Sequence, residues 1–105
     1  MLDRLRAAQD KRQKLWDDGG KLDLSYLGNA AAGEMGEACN IIKKLERERL
    51  GLPGSRASTE ALADELADVI VYLDLIAAKA GIDLQAAIIN KFNKDSVKHG
   101  FDVLL

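Results

Sequence analysis

A chain of 105 residues has room for one domain around one hydrophobic core, and a hydrophobic content of 48% excludes a disordered tail. Charged residues reach 30%, yet the signs are interspersed and the net charge is −2, so no basic stripe marks a nucleic-acid binder. A lone Cys39 rules out an internal disulfide and reads as a small apolar helix residue, and no apolar run approaches the ~20 residues of a membrane span.

The first residues, MLDRLRAAQDKRQKLW, lack the apolar core of a secretion signal, so a soluble cytoplasmic protein is the expectation. They read as a helix from about Leu2 to Asp17, with Leu5, Ala8, Arg12, Leu15 and Trp16 approximating one face. Gly19 and Gly20 end it. Ser25 is placed to cap a second helix reaching about Leu50, and Gly51 suits the left-handed position after its end. GLPGSRAS is then a loop. Ser58 or Thr59 caps a third helix that stops before Gly81, and Asp83 caps a fourth that stops before Gly100. No segment alternates as a strand, and no internal repeat or linker appears. The expected fold is all-α and four-helix bundle-like, one domain over residues 1–105.

The third helix, ALADELADVIVYLDLIAAKAG, is apolar around most of its circumference. At ~1.5 Å per residue it is roughly 30 Å long, more than so small a monomer can surround. A homo-oligomer is therefore expected, a dimer or a dimer of dimers, with part of this helix in the interface.

Two acid pairs interrupt these helices. Glu34 and Glu37 are one turn apart on the second helix, and Glu65 and Asp68 are one turn apart on the third. Spacing of i, i+3 puts each pair on one face, and an antiparallel hairpin brings the faces together. Converging carboxylates repel one another and resist desolvation, so positive charge has to accompany them. Lysines can supply it as an ion-pair network, and divalent cations can supply it with several oxygens around each ion. The candidate ligands are all hard oxygens. The only histidine, His99, lies near the C-terminus, and no Glu-x-x-His pair suggests iron. The metal reading is magnesium, with manganese as substitute, and a carboxylate-rich magnesium site suggests phosphate chemistry.

Glu-x-x-Glu at 34–37, a gap, then Glu-x-x-Asp at 65–68 resembles the MazG-like proteins of the all-α nucleoside triphosphate pyrophosphohydrolase superfamily. RQKLWDD, GNAAAGEMGEACNIIKKLERERLGLPGSRAS, LADELADVIVYLDLIA and INKFNKDSVKHGF extend the resemblance over nearly the whole chain, to short single-domain members. The resemblance implies hydrolysis of a nucleoside or deoxynucleoside triphosphate to the monophosphate and pyrophosphate, for control or cleansing of nucleotide pools. It implies magnesium on Glu34, Glu37, Glu65 and Asp68. Any of these can orient or deprotonate the attacking water; Glu37 is the choice as catalytic base. The Lys-Phe-Asn element matches Lys91, Phe92 and Asn93, giving Lys91 to phosphate and Asn93 to sugar or base, with Phe92 as core. Asn29 is a further substrate candidate. Lys44 either meets phosphate or pairs with an acid, and Trp16 either stacks on a base or packs the first helix on the bundle. Lys98 stands where many relatives carry arginine. The rival readings are a non-catalytic helical interaction module and a nucleotide sensor that binds without turnover. No nucleic-acid or membrane partner is expected.

Overall fold

The computed structural model describes all residues, 1–105, and contains four helices and no strand. They are α1 (Leu2–Trp16), α2 (Leu24–Arg49), α3 (Thr59–Lys79) and α4 (Leu84–Lys98). No helix is long and apolar enough to cross a membrane. Boundaries follow local chemistry. Ser58 and Asp83 each accept the amide of the third residue on, from Ala61 and Ala86, as capping residues do. The start of α2 corrects the sequence reading. Asp23, not Ser25, is the cap and takes the Tyr26 amide at 2.8 Å, while Ser25 lies inside the helix.

Three helices stop in the same way. After α2, Gly51 adopts φ +69°, its amide bonds back to Glu48, and the Leu52 amide bonds back to Arg47. Gly81 with Ile82 repeats this after α3, and Gly100 with Phe101 repeats it after α4. These are Schellman stops, which satisfy the orphan carbonyls of a helix end.

The long hairpin of α2 and α3 is the backbone of the fold, with α1 laid against α3 and α4 leaning on α1. The core is thin. Leu27, Ala31 and Ala38 of α2 and Leu75 and Ala77 of α3 are its only buried apolar residues. Ala38 is fully enclosed, which a small side chain permits where two helices approach closely.

The inward face of α1 differs from expectation. Leu15 and Trp16 are largely exposed, and the face meeting α3 carries Arg6, Gln9 and Gln13 around Leu5. The reason is Asp74, a buried acid within the apolar run of α3. Arg6 Nε donates to its Oδ1 at 3.1 Å and Gln9 Nε2 to its Oδ2 at 2.8 Å. Gln9 also reaches the Val71 carbonyl, and Arg6 the Ile82 carbonyl at 2.9 Å. Helix α1 is thus fastened by polar contacts to a charge that α3 buries, rather than by an apolar stripe.

Between α2 and α3 the loop is strapped down. The Arg47 guanidinium donates to the Ser55 carbonyl and hydroxyl. Gly54 lies directly under it at φ +128°, and a Cβ there would stand 2.8 Å from Arg47 Nη1.

Candidate metal centre and adjoining cleft

The hairpin brings Glu34 and Glu37 of α2 against Glu65 of α3. One carboxylate oxygen from each lies within 4.8 Å of the other two. Glu34 and Glu65 are half-buried and Glu37 is exposed. Asp68 falls outside this group. It is exposed one turn further along α3 and shares the wall of the neighbouring cleft with Glu34.

No lysine, arginine or histidine neutralises these acids within the chain. Its ion pairs are Arg6 with Asp74, Arg49 with Glu46, and Lys91 with Asp95. The lysine network left open by the sequence does not form. Glu65 Oε2 is shielded from solvent and lacks a hydrogen-bond partner. A proton on Glu65 relieves this by donating to Glu34, and that hydrogen bond is the chief reason its pKa rises to about 7. Desolvation, a similar bond to Glu37 and the charges of both neighbours push the same way. Three carboxylates crowded without a neutralising side chain, one of them carrying an unpartnered oxygen, are a donor set that suits a hard divalent ion, which would take the proton's place.

A cleft of about 320 Å³ opens beside Glu34 and Asp68. Arg12, Gln13 and Trp16 of α1 form one wall, and Val71, Tyr72 and Leu75 of α3 the floor. Trp16 is exposed, so it lines this cleft instead of packing α1 onto the bundle. Its indole N–H donates to Gln13 Oε1 at 2.6 Å. A smaller recess of about 150 Å³ continues past Trp16 to Tyr26 and Leu22. The Tyr72 hydroxyl pKa is raised, first by burial and then by the charges of Tyr26, Glu34 and Asp68. Arg12 is the one cation lining the larger cleft. Arg12, Gln13 and Tyr72 were not singled out as site residues in the sequence. The available signal was spacing: Gln13 stands one turn before Trp16, and Tyr72 one turn after Asp68.

The other candidates lie apart from this centre or are occupied within the chain. Asn29 Nδ2 bonds back to the Ser25 carbonyl. Lys44 is half-buried and forms no ion pair, so its pairing with an acid is not realised. Lys91 pairs with Asp95 at 2.8 Å on the outer surface of α4. Asn93 holds the C-terminal segment through both main-chain groups of Leu105, at 3.1 and 2.7 Å. Phe92 is substantially exposed and lines a shallow depression with Ile88 and Lys91 instead of entering the core. His99 ends α4 with its ring 5.9 Å from Phe101, away from any acid cluster.

No family model matches the chain, and no curated protein gives a match.

Proposed function

We propose that the chain is a magnesium-dependent nucleoside triphosphate pyrophosphohydrolase of the MazG-like kind. The observation that carries this reading is the cluster of Glu34, Glu37 and Glu65, with its orphaned Oε2, opening into an aromatic cleft. Glu34, Glu37 and Glu65 would hold the ion, with Asp68 beside them at the cleft mouth. Magnesium, when bound, neutralises polyphosphate charge and lowers the pKa of water. Manganese suits the same oxygen ligands.

The residues of the chain divide the remaining work. Trp16 and Tyr72 offer aromatic faces to a base, which stacking holds with little regard to its identity. Arg12 offers cationic donors to phosphate oxygens. Glu37 is the exposed member of the triad, so it has access to a water. It takes a proton as the water oxygen adds to the α-phosphate, and the bridging oxygen leaves with pyrophosphate.

The active form in this reading is a homo-oligomer. The chain exposes 7538 Å², against about 5,800 Å² expected for a compact monomer of its mass. Its radius of gyration is 17.2 Å, against about 13 Å for a compact chain of this length. Leu66, Ile70 and Leu73 form an exposed row down α3, and Met35 and Ile42 are exposed on α2. On α4, Ile88, Ile89 and Phe92 are uncovered as well. A second copy seated on these faces removes the surplus, which is on the scale of a stable dimer interface. Sedimentation checks this: the wild type runs as a dimer or larger, and Leu66→Glu with Ile70→Glu shifts it towards monomer.

Incubation with a panel of nucleoside and deoxynucleoside triphosphates tests the chemistry. Pyrophosphate appears with magnesium and stops with EDTA. No pyrophosphate from any nucleotide overturns the reading. Tight triphosphate binding without product points instead to a sensor, and neither binding nor turnover points to an interaction module.

A further inference from the structure

We propose that Gln13 selects the base entering the cleft, favouring bases with a carbonyl at pyrimidine C4 or purine C6 over bases with an amino group there. This inference rests on the nucleotide reading above and names its substrate class.

The orientation of Gln13 is fixed by chemistry. An indole N–H can only donate, so the side-chain atom 2.6 Å from Trp16 Nε1 must be the carboxamide oxygen. Gln13 Oε1 is thereby engaged, and Nε2 is left with its two N–H donors and no partner in the chain. Gln13 is half-buried and lines both the larger cleft and the recess behind Trp16. Beside Gln13, α1 brings to the larger cleft the Trp16 indole N–H and the Arg12 guanidinium, the latter given to phosphate in the reading above; both donate and cannot accept. That wall therefore presents donors, and its one acceptor, Gln13 Oε1, already takes the Trp16 N–H. The carboxylate acceptors of the cleft, Glu34 and Asp68, stand at the acid-cluster end, where the polyphosphate belongs in this reading; the Tyr72 hydroxyl on the floor both donates and accepts.

A base stacked on Trp16 brings its edge to this wall. Uracil, thymine, guanine and hypoxanthine meet the Gln13 N–H groups with a carbonyl oxygen. Cytosine and adenine meet them with an amino group, donor against donor, and offer only the ring nitrogen beside it, N3 or N1, as an acceptor on that edge. A partially buried donor left facing a donor loses its hydrogen bond, and specificity of this kind comes from the unpaired group. A free carboxamide can flip to serve either kind of base; the bond from Trp16 fixes its orientation, so that Nε2 is the open end.

Trp16 is the only tryptophan, so its fluorescence reports occupancy of the cleft without any turnover. The full-length protein in magnesium buffer is titrated with dUMP against dCMP and with dIMP against dAMP. These pairs match ring size and differ in the group at that edge. The wild type half-saturates with dUMP and dIMP at about tenfold lower concentration than with their amino counterparts. Gln13→Glu keeps one oxygen for the Trp16 N–H and turns the other towards the base as an acceptor, so the order reverses. Gln13→Leu removes the reader, and the preference collapses. An order unchanged across the three proteins overturns the inference, as does the absence of quenching by all four nucleotides. Pyrophosphate release without a Gln13-dependent preference defeats this inference and spares the hydrolase reading. Selective quenching without pyrophosphate release does the reverse.

Discussion

Glu65 and Asp74 lie nine residues apart in the same helix, which sets them on opposite faces, and their surroundings are opposite too. Asp74 is 1% exposed and has every oxygen answered, one by Arg6 and the other by Gln9. Glu65 is less buried but has only Glu34 and Glu37 for company, and its Oε2 has no partner. Both break an apolar helix. One closes its hydrogen bonds inside the chain and serves to fasten α1; the other leaves them open to something from outside. Burial alone does not mark a functional acid: the distinguishing feature is whether the chain itself supplies the counter-charge.

The sharpest way to separate the two acids is to neutralise each in turn. Glu65→Gln lowers pyrophosphate release by at least about a hundredfold, the scale of losing one electrostatic contact to the reacting centre. It leaves the metal-free fold intact, because the new amide donates to Glu34. Asp74→Ala does the opposite in kind. It lowers stability by about 2 kcal/mol in a denaturant titration, since Arg6, partly exposed, recovers some hydration. Equal stability losses from the two substitutions would erase the contrast.

Titration offers a third separation. Glu65 has a folded pKa of about 7 against an ordinary 4.5, so its retained proton stabilises the fold fully below about 4.5. That contribution is lost as pH rises through about 7. Metal-free wild type therefore loses melting temperature relative to Glu65→Gln across this window, and the magnesium-induced gain is greater at pH 8 than at pH 5. A constant difference between the two proteins across the window would show that Glu65 keeps an ordinary pKa. The smallest effect belongs to Gln9→Met. It forfeits the bonds to Asp74 and Val71 but also removes the buried, unpartnered Oε1, so the net cost is about 1 kcal/mol by thermal melting.

The sequence made the hairpin and its acids legible because both rest on local signals. Gly51, Gly81 and Gly100 mark the helix ends, Ser58 and Asp83 mark two of the starts, and i, i+3 spacing pairs the acids. The face of α1 was misread for the opposite reason. Its partner Asp74 lies 68 residues from Arg6, and periodicity counts apolar residues when the contact face is polar. A lone acid inside VIVYLDLIAA was the missed clue, since such a charge needs a buried partner. Asp23 outcompeting Ser25 as a cap shows the usual limit of a residue or two on a helix boundary. The cleft was only half legible: Trp16 stood out, but the engagement of Gln13 by its indole depends on rotamers that spacing does not specify.

The loop strap carries a consequence for the centre itself. Glu37 stands twelve residues before the end of α2, and Glu65 only six after the start of α3. At ~1.5 Å per residue these arms measure about 18 and 9 Å, so a symmetrical turn would set the acids far out of step. The loop has to run back along α2 to make up the difference, and Arg47 holding Ser55 over Gly54 keeps it there. The phase of the three carboxylates is thus governed from the far end of the hairpin. A side chain at position 54 would displace Arg47 and detune the centre without touching any of its acids.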